Sequence, residues 1–174
     1  MPARIVRVSR PMSRAVELFR DEIIALLPRL RRFARTITRD PHDADDLVQA
    51  TVERALLKFG QWKEEARLES WMFGIMRNAW IDEVRTRVRR DRVFAPAEAG
   101  ENVGVSTSDQ DAIALQSAMA QLPEEQRMAI GLVLVEGLSY KEAAEVLDVP
   151  IGTLTSRLAR GRDALAAILL EDEL

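Results

Sequence analysis

Residues 93–110 read VFAPAEAGENVGVSTSDQ, a stretch that gathers Pro96, Gly100, Gly104 and a Ser/Thr cluster and whose apolar residues follow neither a helical nor a strand period. On either side of it the apolar residues recur three or four apart. That interruption constrains the fold more than any other feature. It predicts a flexible linker over 93–110 between two small helical domains, 14–92 and 111–174. Composition agrees. Hydrophobic residues make up 47% of the 174 and can fill packed cores, but only 5% are aromatic and β-branched runs are scarce. The expectation is all-α.

Several classes fall away on composition. The chain has no cysteine, which excludes disulfides and thiolate metal sites and fits a reducing, cytoplasmic setting. The longest uncharged apolar run, MAIGLVLV from Met128 to Val135, is well short of the ~20 residues that span a bilayer, so no membrane insertion is expected. Residues 1–13 carry spaced arginines without a continuous apolar stretch, and are expected to be a disordered tail instead of a signal peptide. Met12 is an alternative start to Met1.

Charge is unevenly spread. Residues 1–92 hold 20 Lys+Arg against 14 Asp+Glu, residues 93–114 hold none against 4, and residues 115–174 hold 5 against 10, so a net charge of -3 conceals a basic first half. This asymmetry suits contact with a polyanion at chosen places.

In the first domain, Val16, Phe19, Ile23, Leu30, Phe33 and Ile37 trace one helix, which Pro28 is expected to kink or divide. Asp40 is a candidate N-cap with Pro41 at the first position of a second helix. A third helix, from about Leu68 to Arg89, should bury Trp71, Met72, Ile75, Ala79 and Val84. The three form a small bundle. The second domain offers four helices: one capped by Ser108 with Asp111, one from about Pro123 to Glu136 ended by Gly137, one capped by Ser139 with Glu142, and one after Pro150.

The last two of these, GLSYKEAAEVLDVPIGTLTSRLARGRDAL, are two helices joined by a tight turn. Tyr140, Ala143, Ala144 and Leu147 give the first a small apolar face; Ile151, Leu154, Leu158, Gly161, Leu165 and Ile168 give the second its inner face. Thr153, Ser156, Arg157 and Arg160 then fall on the opposite side. The stretch Thr153 to Arg162 carries three arginines and no acid within an acidic domain. This is the pattern of a helix-turn-helix whose second helix enters the major groove, where Arg pairs with guanine or phosphate.

Asp43, Asp45 and Asp46 cluster at a helix start, where the helix dipole alone favours acids, and no further ligand group accompanies them. No metal or other cofactor is expected. His42, the only histidine, reads as solvated. With no Cys, one His and no convergent carboxylates, an enzyme is not expected. A regulator that binds a duplex site alone as a dimer is the competing class, but no heptad seam is evident.

Taken together, DADDLVQATVERAL, LESWMFGIMRNAWIDEVR and LPEEQRMAIGLVLVEGLSYKEAAEVLDVPIGTLTSRLARGRDAL resemble, in order, regions 2.2, 2.3 with 2.4, and 4.1 with 4.2 of the extracytoplasmic function (ECF) group of sigma-70 family RNA polymerase sigma factors. The resemblance covers about residues 14 to 170. It implies a protein, monomeric when free, that binds core RNA polymerase and directs it to promoter DNA, commonly held by an anti-sigma factor. It places Asp46, Gln49 and Glu53 at the polymerase clamp, with Ala50 where the family usually has an acid. It assigns Trp62, Phe73, Arg77, Asn78 and Arg85 to the -10 element, with Trp62, Phe73 and Asn78 around a flipped base. Thr155, Ser156, Arg157 and Arg160 are assigned to the -35 element. It also implies that the linker threads through the polymerase.

Overall fold

The computed structural model describes residues 14–63, 65–92 and 110–171. Among these every regular element is helical. Helix α1 spans Arg14–Thr38 and α2 Pro41–Leu57; a 3-10 turn, Phe59–Gln61, leads to α3, Leu68–Asp91. Then follow α4 (Gln110–Gln121), α5 (Glu124–Ile130), α6 (Tyr140–Leu147) and α7 (Ile151–Glu171). The expected tail, the linker up to residue 109 and the Ser108/Asp111 cap lie outside the described residues.

Phe19, Ile23, Leu30, Phe33 and Ile37 form the buried stripe of α1. Pro28 does not divide this helix. The ring removes the N–H that would reach the Ile24 carbonyl, but Ile24 and Pro28 both lie on the exposed side, where water can take the freed acceptor. At the α1–α2 corner Arg39 turns through φ 65°. Asp40 then caps α2, its side chain accepting from the Asp43 amide at 2.9 Å, with Pro41 at the first position.

The helix expected from Pro123 to Glu136 is two structures. α5 is regular, but Gly131–Val135 widens into a π turn in which the Glu136 amide donates to the Gly131 carbonyl at 2.9 Å. Gly137, at φ +72°, then reverses the chain in a conformation that favours glycine. Ser139 and Glu142 complete the expected capping box at the start of α6. The helix-turn-helix closes through Asp148 in the left-handed region and a 3.1 Å bond from the Val149 amide to the Ala144 carbonyl.

The two helical modules pack on one another. A single cluster of buried apolar residues runs from Phe19 of α1 to Leu158 of α7. α1 lies against α4, α5 and the π turn, and α3 against α6. Gly131 is the point of closest approach: a Cβ there would sit 3.1 Å from the ring of Phe33 and 3.1 Å from Thr36 Cγ2.

Candidate functional site

On α2 the inward residues Leu47, Val48, Thr51 and Ala55 are buried, which turns Asp46, Gln49 and Glu53 outward. All three are exposed, on one face at i, i+3 and i+7. Gln49 Nε2 donates to Glu53 Oε1 at 3.1 Å. Asp43 belongs to a different arrangement. Arg87 of α3 grips its carboxylate through both nitrogens at 2.7 Å, and this bonding holds the Asp43 carboxyl below the ordinary aspartate range. His42 is exposed at the start of the helix.

On α3, Asn78, Arg85 and Arg89 are exposed and, at spacings of seven and four, share one face. Asp82 on that face is met by Arg54 of α2 at 3.0 Å, so the stripe is basic toward solvent. Half-buried Arg77 donates to Asn78 Oδ1 at 3.1 Å. Trp62 and Phe73, which the resemblance places around a flipped base, are both packed against other side chains. Phe73 is 1% exposed, set edge-on to Phe33 with centroids 5.1 Å apart and overlaid by the Arg29 guanidinium at 5.6 Å. Trp62 leans on Phe19 with centroids 5.7 Å apart, its Nε1 donating to the Ala66 carbonyl at 3.1 Å. Each ring is occupied with packing.

On α7, Leu154 and Leu158 are buried at 0% and 2%, and Gly161 fits beneath Ile130, where a Cβ would meet Ile130 Cδ1 at 2.8 Å. Ile151, expected on that inner face, is 54% exposed at the mouth of the turn, and Tyr140 of α6 is 43% exposed. Thr153, Ser156, Arg157 and Arg160 line a groove of about 440 Å³ with Pro123, Glu125 and Gln126. Thr155 lies outside this lining; its hydroxyl donates to the Ile151 carbonyl at 2.9 Å. Arg157 is drawn toward α5 by Glu125 at 3.0 Å, leaving Ser156 and Arg160 as the open groups.

Sequence reasoning missed the groups that join the modules. Glu136, its side chain fully buried, receives Arg32 through both nitrogens at 2.8 Å and Arg29 Nε at 3.1 Å. Arg29 also reaches the Glu136 carbonyl at 2.6 Å and pairs with Glu69. Glu136 raises the affinity of Arg32 for its proton, chiefly by hydrogen bonding. Arg67, paired with Glu69, also pairs with Glu142 of the capping box at 2.9 Å. Arg127, 2% exposed, donates to the carbonyls of Leu122 at 2.7 Å and Ile37 at 3.1 Å. Burial, with nearby Arg39 adding to it, brings its pKa down to about 10. It remains a cation at neutral pH, placed at the carbonyl ends of α1 and α4. None of the pairs that cross between the modules has a local signature, since those partners lie 75 to 107 residues apart.

Comparison with known proteins shows the family of the chain. Residues 23–90 match the sigma-70 region 2 family, and residues 112–165 match sigma-70 region 4. The chain is 35% identical over 155 residues to the ECF RNA polymerase sigma factor EcfG of Rhodopseudomonas palustris, spanning 88% of this chain and 86% of that one. The chain is an ECF sigma factor. It is also 38% identical to SigM of Mycobacterium tuberculosis over 80% of this chain and 71% of that one. The sigma factor RpoE from Bartonella quintana, solved in complex with the anti-sigma factor NepR, superposes with a TM-score of 0.80 at 31% identity, covering 88% of this chain and 97% of that one. As a sigma factor the protein associates with core RNA polymerase and directs promoter-specific transcription initiation. Among the described residues no helix is long and apolar enough to cross a membrane.

Proposed function

We propose that residues 14–92 hold the core polymerase and the -10 element, and that residues 111–174 read the -35 element. Asp46, Gln49 and Glu53 dock on the polymerase clamp. Their shared exposure on α2 supports this, because a face bonded only within itself, Gln49 to Glu53, keeps its capacity for a partner. Half-buried Ala50 between them contributes no charge where the family resemblance implies an acid, so the contact relies on its neighbours.

Arg77, Asn78 and Arg85 meet the -10 element, Asn78 through a base edge and Arg85 through phosphate. Trp62 and Phe73 complete the wall of a base pocket once the cover over Phe73 is withdrawn. Ser156, Arg157 and Arg160 enter the groove of the -35 element, with Thr155 at their margin. The observation that carries this reading is the division of α7 into a face buried by Leu154 and Leu158 and a basic, hydroxyl-bearing face left open. An anti-sigma factor is the expected regulator, and the protein acts in the cytoplasm as a monomer without enzymatic chemistry of its own.

Run-off transcription with purified core polymerase on a library of promoters tests the proposal. Enriched sequences at both -10 and -35 are expected. Strong, specific duplex binding by the chain alone, without any stimulation of core polymerase, would reject it in favour of a free-standing regulator.

A further inference from the structure

The stretch Thr153 to Arg162 holds three arginines and no acid, yet the structure brings an acid to it from another helix. We propose that Glu125 is a brake on promoter binding: its carboxylate keeps Arg157 in the groove between α5 and α7, and that arginine reaches the -35 element only after leaving it. Glu125 Oε1 stands 3.0 Å from Arg157 Nη2, and the two side chains differ in exposure, 67% for Glu125 and 23% for Arg157. The guanidinium is drawn in while the carboxylate stands at the rim. Arg160, three residues further along the same lining, is exposed. An approaching DNA backbone thus meets one open cation and one cation already matched by a negative charge.

The helix dipole explains why an acid sits in the first turn of α5, but not which cation it takes. Glu124, in the same turn, does not line the groove; Glu125 does. Both partners lie in the second module, where α5 and α7 pack directly, Gly161 beneath Ile130, so the pair does not depend on how the two modules sit. Its strength decides what it can do. An ion pair this exposed holds by at most about fivefold, which is too little to fix the fold. It is enough to leave Arg157 free in about one molecule in six, and a ligand that needs the free form binds more weakly by that fraction. A guanine or a phosphate must displace the carboxylate before it gains the arginine, and the carboxylate left at the rim repels the phosphates beside it. Glu125 therefore sets the affinity of α7 below what its arginines alone would give. This role for Glu125 rests on the -35 reading of α7.

The test uses holoenzyme, core polymerase with the full chain, on a labelled promoter fragment enriched in the run-off library and on the same fragment with its -35 element scrambled. Glu125→Gln keeps the shape of the side chain and removes its charge. It should tighten binding to the intact fragment by about two- to sixfold at low salt. The gain should shrink at high salt, where the parent's pair is already screened. Arg157→Ala should weaken binding, and in that background Glu125→Gln should add little. Glu124→Gln, which removes the same charge from the same turn, should change affinity less than Glu125→Gln. Unchanged or weaker binding by Glu125→Gln, with a thermal melt showing it folded, overturns the brake. So does a gain of equal size in the Arg157→Ala background or in Glu124→Gln, since either would make the effect a general repulsion of DNA. A parent indifferent to scrambling would sink the -35 reading of α7 and the brake with it. A parent that discriminates, with no gain from Glu125→Gln, sinks the brake alone.

Discussion

Arg87 closes on Asp43 with two parallel hydrogen bonds of 2.7 Å, fastening the first turn of α2 to the C-terminal part of α3. The same guanidinium meets Glu83 at 2.8 Å and lies 5.8 Å from the ring of Trp80. Both carboxylate oxygens are engaged in these bonds, and the outward face of α2 is held in place from behind.

Asp43→Asn is expected to lower stability at neutral pH by about 1 kcal/mol, the upper end for a partly exposed pair of good geometry. The folded carboxyl is depressed below its unfolded value, which is near 4. Its contribution is therefore present above that value and disappears as pH falls through the lower, folded one. Thermal melts of parent and Asp43→Asn should differ at pH 7 and converge toward pH 3. A constant difference across that range would remove Asp43 as the titrating group.

Replacing Asp46, Gln49 and Glu53 together by alanine should weaken association with core polymerase by roughly tenfold, or about 1.4 kcal/mol. All three are exposed, so the melting temperature should hardly move. Fluorescence anisotropy with labelled core, alongside a melt, separates the two effects. Unaltered core affinity would take this face out of the interface.

Arg157→Ala and Arg160→Ala should each reduce transcription from cognate promoters while core binding stays nearly intact. If either arginine reads a guanine bidentately, its loss costs about 1–3 kcal/mol and relaxes one -35 position; if it grips phosphate, all sequences weaken alike and the salt dependence falls. Promoter selection at two salt concentrations discriminates these outcomes. A parallel loss of core binding would reject the assigned role.

Asn78→Ala should blur base preference at a single -10 position and leave the -35 preference unchanged. The amide both donates and accepts, a capacity alanine lacks. Sequencing of transcripts from a randomised -10 library is the measurement, and an unchanged preference there would remove Asn78 from base reading.

What could be read from the sequence was local. Asp40 with Pro41, and Ser139 with Glu142, announce helix starts because the bonds they make close within three residues. The inner face of α7 was legible for the same reason, save at Ile151, where the helix has not yet reached its neighbours. The π turn was hidden because MAIGLVLV is apolar throughout and offers no phase from which to tell a wide turn from a regular one. The burial of Phe73 depends on how α1 meets α3, and the pairing of Glu136 with Arg32, 104 residues away, on how two modules meet. Spacing along one helix carries no record of such an encounter. Asp46, Gln49, Asn78, Ser156 and Arg160 emerge on the surface where their spacing put them, while Trp62 and Phe73 do not.

The wide turn at Gly131–Val135 also sets a limit on chain length at that point. An α-helix advances about 100° per residue, so deleting one residue there would swing Glu136 through more than a quarter circle, away from both of its arginines. At Gly131, where a Cβ would press on Phe33 and Thr36, even a substitution is not absorbed, and a change in the number of residues would move every group that follows, so natural variation in length should avoid this bend.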